Sequence, residues 1–499
     1  MRSLRGLVTV AAAVTMVGAL PAANPASAAS TAVTADFAQV VNPAAQPALF
    51  GLANEPSRDH QDDVYPKLQR VGVKLERGTL HVDRLFAGKF AGMTLQDYVN
   101  NVDGIQNPEN WDWSVLSWLD HAKASRMTTQ LNILQAPAWL TYSGTNSGVP
   151  KDWAVWQDII RKVVAHYSSK IDQIDILNEP MTSSMVNRSG SPYTSQQSAA
   201  ADLYFYTVRA IRAVDRTVTV GGDGDDKQGG DFGAMGTILR DPRLSATDIQ
   251  FVSYHTYAAD PVAKAKLPEL KALLDATGRS GLPVYINEWN HNYYGDTKAP
   301  QVVGNQATTY VANTLVNFAN QPIITGAAFM SALPGNVTLD PQENCPGCVI
   351  AQAIYDWDGT SATLWPQTRA YRLLSVDAGL GDGRFSTVAT DAGGLTNAVA
   401  FTNVHGQKGV ILVNDTADRQ KVDATLNTTG YTTKNVTATT FTADTGTNTA
   451  VTPTHVNRVP VHDETVTLRA VDVPAYSAVA VVLSDKGTLT RPSGTVKRR

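Results

Sequence analysis

Two glutamates are placed to share one reaction. Glu179 lies in Ile174-Asp175-Ile176-Leu177-Asn178-Glu179-Pro180, and Glu288 in Val284-Tyr285-Ile286-Asn287-Glu288-Trp289-Asn290. Each follows a short, apolar, β-branched run that reads as a buried strand, and turn or loop residues come after it. Each run therefore delivers one carboxylate to the C-terminal end of a strand. In a (β/α)8 barrel that end is where chemistry is done. Two carboxylates facing each other across a cleft are the minimum equipment for cleaving a glycosidic bond. A lone Asn-Glu-Pro triplet carries little, but two such glutamates at strand ends, 109 residues apart, carry a great deal. Carboxyl groups about 5–5.5 Å apart let one attack directly, whereas a gap above about 6.5 Å leaves room for a water.

The elements that must position them follow from periodicity. Strand-like runs occur at Leu49–Ala53, Lys74–Arg77, Thr128–Leu134, Gln173–Leu177, Thr217–Gly222, Ile249–Tyr254, Val284–Asn287 and Ile324–Met330. Between them lie stretches of helical spacing, such as Trp153, Trp156, Ile159, Ile160, Val163, Val164 and Tyr167, or Leu267, Leu270, Leu273 and Leu274. Eight strand–helix units predict an α/β fold, a (β/α)8 TIM barrel over residues 46–376. Beyond about Val376, helical spacing gives way to short alternating runs rich in Thr, Val, Ala and Asn, among them Asn397–Asn403, Gly409–Asn414, Thr437–Phe441, Thr465–Leu468 and Ala475–Leu483. These predict a small all-β sandwich over residues 377–486. Residues 29–45 read as an N-terminal linker, and the polar, basic run 487–499 as a disordered tail.

The first 28 residues carry the pattern of a signal peptide: Arg2 and Arg5, an apolar stretch from Leu7 to Leu20, and the small-residue site Ala26-Ser27-Ala28. That stretch is too short and too Ala-rich to span a membrane. Secretion is expected. Without Arg2 and Arg5 the 41 basic residues become 39 against 45 acidic ones, a net charge of −6 with no basic stripe. Nucleic acid and membrane surfaces are poor partners for such a chain; an uncharged substrate fits better, and a monomer is expected. Cys345 and Cys348, in Asn344-Cys345-Pro346-Gly347-Cys348, are the only cysteines. In an oxidising compartment a short-loop disulfide is expected of them. The spacing alone also fits a redox motif, but those sit in small βαβ domains, and a zinc site would need two further ligands.

Taken together, Asn178-Glu179-Pro180 after the fourth strand and Glu288-Trp289-Asn290 after the seventh resemble the clan A retaining glycoside hydrolases, most closely glycoside hydrolase family 39 and its neighbours. Tyr254-His255-Thr256-Tyr257 after the sixth strand, Ala136-Pro137-Ala138-Trp139-Leu140 after the third and Arg77 at the end of the second support this. The resemblance covers about residues 46 to 376, and a C-terminal β-domain is also typical of such enzymes. It implies that Glu179 is the general acid/base, a role that asks for burial or a neighbouring carboxylate. Asn178 resembles the amide that hydrogen-bonds the sugar 2-hydroxyl, and Glu288 corresponds to the nucleophile, kept ionised by donors such as Arg77 and Tyr257. His255 lines the same wall.

Aromatic side chains near these strand ends are candidate sugar platforms: Trp139 and Trp289 foremost, with Tyr293, Tyr294, Trp357 and Trp365. Many clan relatives place a Trp after the eighth strand to floor the subsite of the cleaved sugar. Here the run reads Gly326-Ala327-Ala328-Phe329-Met330-Ser331-Ala332-Leu333, so either Phe329 or Trp357 would take that role. The expected function is double displacement on plant-type polysaccharide or oligosaccharide, β-xylosidase-like or arabinofuranosidase-like, with no metal or organic cofactor. The alternatives are an endo-glycanase acting on glucan, mannan or a glucuronide, a transglycosylase, and a non-catalytic carbohydrate-binding protein on the same barrel.

Overall fold

The computed structural model describes residues 30–291, 304–334, 353–431, 433–443 and 453–485. The chain opens with a long strand, β1 (Thr31–Ala45), and then enters an eight-stranded parallel barrel closed on itself in sequence order. Its strands are β2 (Gly51–Ala53), β3 (Leu75–His81), β4 (Thr128–Leu134), β5 (Gln173–Ile176), β6 (Thr219–Asp225), β7 (Phe251–Tyr257), β8 (Val284–Asn290) and β9 (Ile324–Met330). Each of the eight expected strands is present, within a few residues of its expected limits. Helices return the chain along the outside. Trp153–Tyr167, for example, buries Trp156, Ile159, Ile160, Val163 and Val164 on one stripe, and the Asp152 side chain caps it by accepting from the Ala154 and Val155 N–H groups.

The barrel interior is layered. Ala53, Leu75, Phe251, Tyr285, Ala328 and Met330 pack as one apolar cluster inside the ring. Gly326 makes room for it: a Cβ there would lie 2.4 Å from the Tyr285 ring, a contact real side chains do not make. A much larger apolar shell fills the space between strands and helices and runs without a break into the second domain through Leu374, Phe385, Phe401, Ile411 and Ala480. Helix Ala307–Ala319 is buried on almost every face because it is wedged between the two domains. Asn313 and Asn317 accept hydrogen bonds from the Asn397 amide at 2.7 Å, and the Ala319 carbonyl accepts from Asn42 Nδ2 at 2.8 Å.

After β9, three short strands, β10 (Leu333–Pro334), β11 (Ala353–Trp357) and β12 (Ala362–Leu364), form a small separate sheet. The C-terminal strands are β13 (Phe385–Asp391), β14 (Asn397–Thr402), β15 (Lys408–Asn414), β16 (Gln420–Asn427), β17 (Asn435–Ala443), β18 (Pro453–His462), β19 (Thr465–Val473) and β20 (Ser477–Ser484). Two expectations are corrected here. Residues 29–45 are not a linker, because β1 runs antiparallel to β13 and parallel to β16. The second domain is also not built from C-terminal strands alone: with β1 inserted, its nine strands close into a ring, β1-β13-β14-β15-β20-β17-β18-β19-β16, in place of the expected sandwich. Val33, Ala35 and Phe37 of β1 lie in its core with Val410, Leu412, Val422 and Val481. The reason is burial: a segment with three alternate apolar side chains has a sheet edge to fill on each side. Residues 1–28, the 487–499 tail, Cys345, Cys348, Tyr293 and Tyr294 lie outside the described residues. No described helix is long and apolar enough to cross a membrane.

Removing β1 would leave β13 and β16 as unpaired edges. A chain starting at Gln46 is expected to melt well below one starting at Ser30, or to aggregate. Equal melting temperatures by circular dichroism would mean that β1 contributes nothing to closure.

Candidate active site

The site is built from the buried polar layer upward. Arg77, on β3, is fully buried and spends its guanidinium on three neighbours. Nε donates to Asp175 Oδ2 at 2.9 Å, Nη1 to Glu288 Oε1 at 2.7 Å and Nη2 to Asn178 Oδ1 at 2.8 Å. Burial alone would lower the Arg77 pKa, but the charges of Asp175 and Glu288 outweigh it and hold the guanidinium protonated. Asp175 is in turn saturated with donors: Asn132 Nδ2 at 3.1 Å, Asn287 Nδ2 at 2.8 Å and Ser253 Oγ at 2.6 Å. This layer escaped the sequence reading, although Asp175 is a lone charge inside the apolar run Ile174-Asp175-Ile176. A charge there must be paired, since an isolated buried carboxylate is prohibitively costly.

Glu288 owes its direction to an irregularity in β8. Tyr254 pairs with Ile286 and His255 with Glu288, so Asn287 is an extra residue on the β8 side. Such a bulge re-aims side chains. Asn287 and Glu288 both point inward, to Asp175 and Arg77, and Trp289 is turned outward. Trp289 is completely buried against Tyr310, Phe318 and Phe329, which corrects its expected role as a sugar platform. Phe329 belongs to the same packing and cannot floor a subsite either. Trp357 is part-exposed and stacks on His60 at 3.9 Å, while Trp139 is part-exposed with one face on Tyr98.

Glu179 lies just beyond β5 on a backbone that turns sharply: Leu177 and Glu179 have φ of 77° and 43°. Non-glycine residues in this left-handed region are strained and need support. The Glu179 N–H donates to the Gly224 carbonyl at 2.8 Å, and its carbonyl accepts from the Thr182 N–H and Oγ1 at 2.9 and 3.0 Å. The side chain emerges beside His255, whose Nδ1 is 2.9 Å from Glu179 Oε1 and 3.4 Å from Glu288 Oε2. Tyr257 Oη donates to Glu288 Oε2 at 2.6 Å. The Asn178 oxygen is held by Arg77, so its NH2 group faces away from the guanidinium.

One oxygen of each glutamate and a ring nitrogen of His255 all lie within 4.8 Å of one another. Carboxylate oxygens this close suit direct attack by one of the two acids. The environments of the two acids differ. Burial pushes Glu288 up, but the charges of His255 and Arg77 and the hydrogen bonds from Tyr257 and Arg77 hold it below the usual carboxylate range. The Glu179 side chain is 17 % exposed against 6 % for Glu288, so solvent and a leaving group reach it more easily. The same three side chains have the spacing of a cation site, but both Glu288 oxygens already accept from Arg77 and Tyr257, and the guanidinium in contact opposes a second positive charge.

Residues 91–323, which include both glutamates, match the family model described as Cellulase (glycosyl hydrolase family 5). That match and the paired glutamates support a retaining glycoside hydrolase of clan A. Among solved structures, the enzyme is similar to a glucosidase from Croceicoccus marinus, with TM-score 0.64, 13 % identity, and 91 % of this chain and 98 % of that one covered. It is similar to the GH39 enzyme from Xanthomonas axonopodis pv. citri, with TM-score 0.60, 16 % identity, and 92 % and 98 % covered. It is also similar to the glycoside hydrolase family 30 subfamily 8 xylanase of Clostridium acetobutylicum, with TM-score 0.58, 14 % identity, and 91 % and 99 % covered. At such identity these likenesses carry the fold alone. Comparison with curated protein sequences gives no match.

Two outcomes follow for the hydrolase. Replacing Arg77 by Met leaves Asp175 and Glu288 buried without their cation and is expected to cost about 3–5 kcal/mol of stability, measured by denaturant unfolding. His255 loses basicity through burial, but the charges of Glu288 and Glu179 and the Glu179 hydrogen bond raise it above 6.5. Its stabilising share is therefore complete below 6.5 and fades as the pH rises through the raised value. The Glu288 share is complete above 4.5 and fades as the pH falls through the lowered value. The ion network is thus fully in force between pH 4.5 and 6.5. In Glu288→Gln the His255 ring is expected to titrate at lower pH in heteronuclear NMR. An unchanged midpoint would separate the two groups electrostatically.

Proposed function

We propose that this enzyme is a secreted glycosidase in which Glu288 attacks the anomeric carbon and Glu179 exchanges protons with the leaving group and with water. The observation that carries the assignment is the contrast between two close carboxylates. Glu288 is gripped by cationic and phenolic donors, as a nucleophile must be, whereas among the described residues the Glu179 carboxylate meets the His255 ring alone and remains accessible. In the first step the Glu179 proton passes to the glycosidic oxygen while a Glu288 oxygen forms the bond to C1, giving a covalent glycosyl-enzyme. In the second, Glu179 takes a proton from water, which displaces Glu288 and restores both groups. The Asn178 NH2 is available to the sugar 2-hydroxyl. Both steps run on carboxyl groups, and no cofactor enters them.

For the substrate we infer a neutral plant-type polysaccharide or oligosaccharide, cleaved in β-xylosidase-like or arabinofuranosidase-like fashion. The acidic surface disfavours polyanions, and the similar structures include a glucosidase, a xylanase and a xyloglucanase. The last two favour a second reading, an endo-glycanase of the same clan. Secretion is supported by the N-terminal pattern of Arg2, Arg5 and Ala26-Ser27-Ala28.

Two experiments test these roles. NMR of the first-formed product on aryl xylosides, arabinofuranosides and glucosides should give the retained anomer. Glu288→Ala should abolish turnover on every substrate, while Glu179→Ala should still form, and accumulate, the intermediate when the leaving group is nitrophenolate. Azide should then rescue Glu179→Ala with retained configuration and Glu288→Ala with inverted configuration. The opposite pairing of products would exchange the two roles.

A further inference from the structure

The triplet Asn178-Glu179-Pro180 has a twin. Asn54-Glu55-Pro56 follows β2, so the barrel carries a third glutamate at the C-terminal end of a strand. The local backbone is similarly bent, with Asn54 at φ 57°. Its N–H donates to the Arg77 carbonyl at 2.8 Å, and its amide reaches Met330 Sδ, at the end of β9, at 3.3 Å. Glu55 thus enters the barrel mouth where β2, β3 and β9 meet. In the register of β2 and β3, Ala53 faces Arg77, so two residues further on Glu55 faces Thr79. Glu55 Oε2 accepts the Thr79 N–H at 3.1 Å, closing the next rung of the ladder with a side chain.

A strand-end cap needs only that one oxygen. Among the described residues no other residue than Thr79 donates to this carboxylate, so Oε1 is left to the Glu55 N–H or to a ligand, and the residue is part-exposed. Burial raises its pKa, and the Thr79 bond and the charges of Arg84 and Arg77 oppose the rise. The position also selects what it can meet. Around the ring, β5 with Glu179 lies directly opposite β9. A sugar ring that reaches from Glu179 on β5 to Glu288 on β8 can extend across the mouth toward β9, β2 and β3, the side on which Glu55 stands. We propose that Glu55 is a specificity-determining residue that accepts hydrogen bonds from hydroxyls of the sugar ring that becomes covalently attached. This rests on the double-displacement reading above.

A hydrogen bond to a charged acceptor is worth about ten- to a hundredfold in kcat/KM. The test compares wild type with Glu55→Gln, which keeps an oxygen for Thr79 but replaces the free acceptor by a donor. Substrates are the preferred 4-nitrophenyl glycoside and its 3-deoxy and 4-deoxy analogues. Each parent-to-deoxy ratio is taken within one protein, so the folded fraction cancels, and Glu55→Asp serves as a second variant. The wild-type preference for at least one hydroxyl should shrink about tenfold or more in Glu55→Gln. Equal ratios in both proteins at both positions, whatever the overall loss, would leave Glu55 a strand cap and overturn the inference. A wild type that cleaves no parent glycoside would remove the hydrolase reading as well, an outcome distinct from uniform loss in an active enzyme.

Discussion

The ion pair of Arg77 and Asp175, completely buried in the middle of the barrel, is the interaction on which the site depends. A guanidinium cannot shed its proton and has five donors in a fixed plane, so wherever it is buried its partners are fixed in direction as well as in charge. Asp175 takes the Nε donor, and Glu288 and Asn178 take one donor each from Nη1 and Nη2. Glu288 and Asn178 are thus oriented by one rigid fork. Breaking such a pair is costly, whereas an apolar replacement of all members would not be. The arrangement is better explained by the geometry it imposes than by stability it adds.

The two glutamates also show how similar sequence settings become different chemical groups. Both follow buried strands. A bulge turns Glu288 down onto Arg77 and Tyr257, while a left-handed turn lifts Glu179 toward solvent beside His255. His255 touches both, so a single ring nitrogen stands between the two acids.

Much of the barrel was legible because its signals are local. Apolar runs of four to seven residues, followed by amphipathic stretches, mark each strand and helix without reference to the rest of the chain. The glutamates were legible because strand ends are where a barrel displays side chains. Trp289 was misread because strict alternation breaks at Asn287, and one inserted residue reverses every later side chain. The pairing of Thr31–Ala45 was illegible for another reason: its partners lie 340 or more residues away, and nothing within the segment names them. The strands Gln420–Asn427 and Pro453–His462 escaped notice because their apolar positions are sparse or exposed.

The long reach of β1 has a kinetic side. The strand leaves the ribosome before the barrel, yet its neighbours β13 and β16 begin at Phe385 and Gln420. At about 5–20 residues per second, some 20–80 s separate its emergence from that of its partners. Throughout that interval Val33, Ala35 and Phe37 have no core to enter, while the barrel can complete its own ring. Contacts of such high sequence separation also form slowly. A strand made before the barrel is therefore among the last to dock, and the second domain acts as a lock thrown only once β13 and β16 have been delivered.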